Sequence, residues 1–181
     1  GVAEDTCLTY SIGFRAPAAE ELAHAFLMHL QDTLTLDGRY ADPDLRQPRH
    51  PGEIGRAMLD QIEAMMTQVK WTRRDITEFA GRYLSDPKPN VFFDPPDAPL
   101  SPASFRRTAQ QQGVALDPRS RLLFTGRRFY LNGEAFEADP AGLAALKELA
   151  DSRALPAPLP ASLLDPFYDW YTAGWLEILR S

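Results

Sequence analysis

The chain has one cysteine, three histidines and no apolar run approaching the roughly 20 residues that a membrane span requires. A single thiol excludes an internal disulfide and a cysteine-based zinc site, and makes a reducing cytoplasm the expected compartment. No histidine lies near Cys7 in sequence and nothing local would lower its pKa, so it reads as a small apolar strand residue. The N-terminus has no basic-then-apolar signal pattern. His24 and His29 stand five apart, on different faces of any helix, and no H-x-x-x-H pair occurs. The histidines therefore read as surface residues, not metal ligands.

An excess of positive charge is also missing. The net charge is −6; residues 1–100 hold 16 acidic and 10 basic side chains, and residues 101–181 hold 9 of each. A surface that binds phosphate backbones needs a clear cationic surplus, so nucleic acid is not the expected partner. What is present is ordinary globular material. Apolar residues make up 44% and charged residues 24% of 181, enough for one domain or two small ones.

Cys7, Thr9, Ser11 and Gly13 alternate with Leu8, Tyr10, Ile12 and Phe14, the period of a strand with one small polar face and one apolar face. After Pro17 the period changes. Leu22, Phe26, Leu30 and Leu34 recur every four residues and predict a helix that stops near Asp37-Gly38. Residues 39–52 read as a long loop, and Ile54, Met58, Ile62, Met65 and Val69 form a second helical stripe. Thr72 and Asp75 make a capping box for a third helix carrying Ile76, Phe79, Ala80 and Tyr83. Three such helices leave more apolar face than they bury among themselves. A dimer interface or a neighbouring domain is the natural cover.

Six prolines between Pro87 and Pro102 forbid helix or sheet interior, so residues 86–100 read as an extended linker and a domain boundary. Beyond it, Ser101-Pro102 caps a helix that ends at Gly113. Short strands follow at Leu122–Thr125, Phe129–Leu131 and Ala135–Glu137, with Asn132-Gly133 as a hairpin turn between the last two. Asp139-Pro140 opens another helix, a further helix spans about Ser162–Tyr171, and Trp175 to Leu179 alternates like a closing strand. The class is α+β, with a winged-helix-like domain over 101–181.

The run Thr9-Tyr10-Ser11-Ile12-Gly13-Phe14-Arg15-Ala16-Pro17 resembles the last core strand of the JmjC/cupin-type ribosomal oxygenases. These are bacterial iron(II)- and 2-oxoglutarate-dependent enzymes that hydroxylate an arginine of a large-subunit ribosomal protein. Arg39-Tyr40-Ala41-Asp42-Pro43-Asp44 and Tyr130-Leu131-Asn132-Gly133-Glu134 also look like pieces of that family, as does the order of elements. The resemblance implies that residues 1–17 end a cupin barrel whose remainder is absent. Residues 18–85 would then be a helical dimerisation domain, and 101–181 the winged-helix-like tail. It further implies that Ser11 meets the distal carboxylate of 2-oxoglutarate, with Thr9 on the same face and nearer the metal. Leu22, Phe26, Leu30, Ile54, Met58 and Ile62 would centre a homodimer interface.

The family's iron is held by two histidines and a carboxylate, the first two ligands as H-x-D. None of His24-Ala25-Phe26, His29-Leu30-Gln31 and His50-Pro51-Gly52 has that form. This chain alone is therefore expected to hold neither iron nor 2-oxoglutarate and to be inactive, whereas the intact parent uses both. The alternative reading is a free-standing winged-helix adaptor that binds protein or nucleic acid.

Overall fold

The computed structural model describes residues 16–41 and 50–179, and the chain divides between Val69 and Lys70 into two units. In the first unit, helix α1 (Ala19–Thr33) begins two residues after Pro17 with Glu20 and Glu21 in its first turn, where the positive end of the helix favours carboxylates. It ends before the expected stop, because Leu34 is already extended. Helix α2 (Arg56–Met66) carries Met58, Ile62 and Met65 of the second stripe, with Ile54 and Val69 just outside it.

The second unit starts with α3 (Arg73–Ser85). Its capping box is formed as expected: the Thr72 hydroxyl accepts from the Asp75 N–H, and the Thr72 N–H donates to the Asp75 carboxylate. Helix α4 (Pro102–Gln112) starts on the Ser101 cap with proline in its first turn and stops at Gly113. Gly113 has φ +86°, and a Cβ there would lie 2.4 Å from the Leu155 carbonyl oxygen, so both backbone and space demand glycine.

Strands β1 (Val114–Leu116), β2 (Leu122–Thr125), β3 (Arg128–Leu131) and β4 (Glu134–Glu137) follow, then α5 (Leu143–Ser152), β5 (Ala154–Leu155), α6 (Leu164–Thr172) and β6 (Leu176–Ile178). Two antiparallel sheets result, ordered β5-β1-β6 and β2-β3-β4. Asn132 and Gly133 both take positive φ in the β3–β4 turn, as the Asn-Gly pair predicts.

Alternation along β3 sets the layers. Phe129 and Leu131 point into a core shared with Phe105, Leu146, Phe167 and Leu176, while Arg128 and Tyr130 point to the opposite face. That second face would be left open by a bare hairpin. Helix α3 covers it, and Gly81 lets the helix backbone close on the Tyr130 ring. The boundary expected at the prolines therefore lies upstream, at Val69–Lys70, and α3 belongs with the tail instead of with α1 and α2. Its physical reason is that Tyr130 needs a lid.

The proline-rich segment is not a free tether either. Phe93 packs edge-on to Trp175 at 6.1 Å, and Arg119 donates to the Phe92 carbonyl oxygen (2.7 Å) and the Asp94 carboxylate (2.8 Å). The Tyr171 hydroxyl accepts from the Leu100 N–H, and the Tyr168 hydroxyl donates to the Leu100 carbonyl oxygen. Extended backbone rich in proline is here a strap laid along the unit.

Candidate functional site

Thr9 and Ser11 lie outside the described residues. Among the described residues there is no group of three or more His, Cys, Asp or Glu side chains placed to hold a metal ion. The expected interface residues occupy the helical unit. Leu30 is buried there, Leu22 and Phe26 are half-buried, and Ile54 (65%), Met58 (38%) and Ile62 (40%) remain exposed. Leu27, Met28, Leu59 and Met66, also exposed, extend the same apolar character. Sequence periodicity found the stripes; it did not show Leu27 and Leu59 to be as open as the residues of the stripes.

In the winged-helix unit the charged residues mostly serve the fold. Glu78 of α3 accepts from Arg128 of β3 at 2.8 and 3.1 Å and from Arg82 at 3.0 Å. Hydrogen bonding by Arg128 holds the Glu78 carboxyl below its ordinary value of 4.5, against the opposing effect of burial. Burial, then the neighbouring Glu78 carboxylate, raises the Tyr130 hydroxyl above its ordinary value. Arg82 also donates to the Gly133 carbonyl oxygen, and the Ser85 hydroxyl accepts the Gly133 N–H, so α3 grips the β3–β4 turn at its tip.

Several arginines of the tail are engaged in the same way. Arg106 pairs with Asp165, and Arg119 with Asp117 and Asp94. The Arg119 hydrogen bond lowers the Asp117 carboxyl. Arg121 donates to the Leu84 carbonyl oxygen, and Arg127 sits 3.8 Å from Glu137. Few of these guanidinium groups are left to face a phosphate chain.

One surface feature escaped sequence reasoning. A groove of about 620 Å³ runs between α3 and α5 with β2 in its floor, lined by Ile76, Ala80, Gly81, Leu84, Leu123 and Phe124 among others. Arg73 and Thr125 mark one part of it, and Ala150 and Asp151 the α5 side. Neither periodicity nor motif could reveal it, since it arises only when α3 docks on the hairpin.

Taken together, a three-stranded meander, helices packed on both its faces and a second small sheet closing the unit define a winged-helix domain with an added N-terminal helix. The model of the ROXA-like winged helix family matches residues 64–177, and the chain belongs to that family. It is 28% identical over 158 residues to the Escherichia coli ribosomal protein uL16 3-hydroxylase, covering 87% of this chain and 42% of that protein. The solved structure of the Escherichia coli ribosomal oxygenase YcfD superposes with a TM-score of 0.67 at 25% identity, covering 92% of this chain and 48% of that one. A structure of the same oxygenase in complex with cobalt and 2-oxoglutarate gives the same score, 0.67, also at 25% identity, over 92% of this chain and 47% of that one. The chain thus spans less than half the length of the relatives it matches.

Proposed function

We propose that the chain is the C-terminal region of an iron(II)- and 2-oxoglutarate-dependent oxygenase that hydroxylates an arginine of a large-subunit ribosomal protein, with uL16 the first candidate substrate. The observation that carries this reading is the extent of the likeness: 87% of the chain aligns in sequence with a uL16 hydroxylase, beyond the winged-helix unit alone.

The described residues do not fit an iron centre, since they offer no cluster of metal donors. Iron and 2-oxoglutarate would be held elsewhere in the enzyme, apart from the contact proposed for Ser11, with Thr9 beside it. The described residues would serve assembly and substrate presentation. Exposed Ile54, Met58 and Ile62, with Leu22, Phe26 and Leu30, give the helical unit an apolar surface of the composition found in obligate homodimers. The winged-helix unit, with its arginines engaged internally, would be a protein-contact scaffold, and the enzyme would work in the cytoplasm beside the ribosome.

The test is turnover by the natural protein supplied with iron(II), 2-oxoglutarate and uL16. Tandem mass spectrometry should find one added oxygen on an arginine of uL16. Consumption of 2-oxoglutarate without modified uL16 would reject the substrate. No consumption with any large-subunit protein would reject the class.

A further inference from the structure

Among the described residues, the β2-β3-β4 sheet has a free edge at β2. In an antiparallel pair, residues alternate between those that exchange hydrogen bonds with the partner strand and those whose N–H and C=O point away. The Asn132 N–H bonds the Arg121 carbonyl oxygen, and Leu123 stands opposite Tyr130 and Thr125 opposite Arg128 in the same phase. Leu122 and Phe124 therefore turn their backbone groups outward, and neither has a backbone partner beyond β3 among the described residues; Leu122 is buried in the core, so Phe124, 36% exposed, is the accessible position. An open edge of this kind is a template for another extended chain.

Here the edge is the floor of the groove between α3 and α5. Its α3 wall is apolar, with Ile76 and Leu84 both about half exposed. Where the groove reaches Thr125 it is cationic on balance: an adjoining depression shares Arg73, Thr77, Thr125 and Tyr130 with it and adds Arg74, together with the paired Arg127–Glu137 and Arg128–Glu78. Arg73 and Arg74 sit in the first turn of α3, the end at which the helix dipole disfavours cations. Among the described residues neither forms a close salt bridge, although Arg74 acts electrostatically on the neighbouring Asp75 carboxylate; Arg73 has no acidic partner. Asp75 is bound to Thr72, Glu78 to Arg82 and Arg128, and Glu137 to Arg127; the remaining acid of the groove, Asp151, lies on the α5 side.

We propose that this groove is a docking site for an extended segment of a partner protein, which adds a strand to β2, sets apolar side chains against Ile76 and Leu84, and places a carboxylate on Arg73. The free edge dictates the extended backbone, the wall dictates alternate apolar side chains, and Arg73, without a carboxylate partner among the described residues, dictates the acid. A strand antiparallel to β2 enters from the Arg73 end, so the acid lies at the N-terminal end of the segment.

The probe is a synthetic acetylated peptide of paired aspartates followed by alternating valine and threonine, with a lysine-for-aspartate version as control. With the full chain, amide exchange followed by NMR should slow about tenfold or more at Phe124 when the aspartate peptide is added, while Leu123 and Thr125, already bonded to β3, change little. Arg73 is exposed, so Arg73→Glu keeps the fold; it should weaken the aspartate peptide about fivefold and favour the lysine version. No protection at millimolar peptide, or equal affinity of the variant for both peptides, would overturn the proposal. Protection of the Phe124 amide that grows with protein concentration alone would overturn it in favour of pairing between two β2 edges.

Discussion

Replacing Gly81 with alanine sets two effects against each other within one residue. Alanine is the better helix former by about 0.8–1 kcal/mol in a helix interior. Its methyl group, however, would lie 2.3 Å from two atoms of the Tyr130 ring and 2.4 Å from a third. Tyr130 is 2% exposed, and its hydroxyl is tied to Glu78, so the ring has nowhere to retreat. Overpacking of this kind costs about 1–3 kcal/mol, and the helix must lift from the hairpin to relieve it. Net destabilisation of up to about 2 kcal/mol is expected. All three tryptophans, Trp71, Trp170 and Trp175, lie in this unit, so urea unfolding followed by their fluorescence reports on it alone. Gly81→Ala should lower the midpoint with an unchanged slope. Adding Tyr130→Leu should cost less in the Gly81→Ala background than in the parent, because the second change removes the clash. A Gly81→Ala protein stabilised by the helix-propensity increment would refute the claim that α3 is locked onto the hairpin at this point.

Glu78→Gln should cost about 1 kcal/mol at neutral pH, a modest value because the pair is partly exposed. Since the folded carboxyl lies below 4.5, its contribution is complete above that value and fades as pH falls through the folded value, so wild type and variant should converge in acid; a gap persisting there would count against it. Light scattering should give a dimer mass for the chain, and Phe26→Asp a monomer or aggregate; a monomeric wild type at micromolar concentration would remove the proposed interface. In the intact enzyme, Ser11→Ala should raise the KM for 2-oxoglutarate by about one to two orders of magnitude, the worth of one charge-assisted hydrogen bond, and leave the protein-substrate KM nearly unchanged. Wild-type 2-oxoglutarate dependence would make that hydroxyl structural.

What could be read from the sequence was local. The Thr72–Asp75 capping box, the Ser101-Pro102 start, the Gly113 stop and the Asn132-Gly133 turn each depend on neighbours within a few residues, and each is formed. Strands β1 and β5 were missed because three and two residues are too few to display a period. The allegiance of α3 was misjudged for a different reason. Its amphipathic pattern says that one face is buried but not against what, and the answer depends on Gly81 fitting Tyr130 across the intervening strap and core. Proline density likewise reported an extended backbone correctly and said nothing of the Phe93–Trp175 and Arg119 contacts that anchor it. The groove is one step further removed, being a product of that docking.

The anchored strap decides where this unit can be separated from the rest of the chain. A cut at the prolines looks harmless on composition, yet a fragment starting at Ser101 would lose α3 and uncover Tyr130 and Arg128 on a hairpin with one face wet. It would also free Arg119 and Trp175 from the segment they hold. The piece that can be grafted, swapped or inherited whole begins before Thr72, where the capping box starts its first helix. Recombination within the prolines would therefore break a domain, whereas exchange near Val69 would carry it intact to a new host.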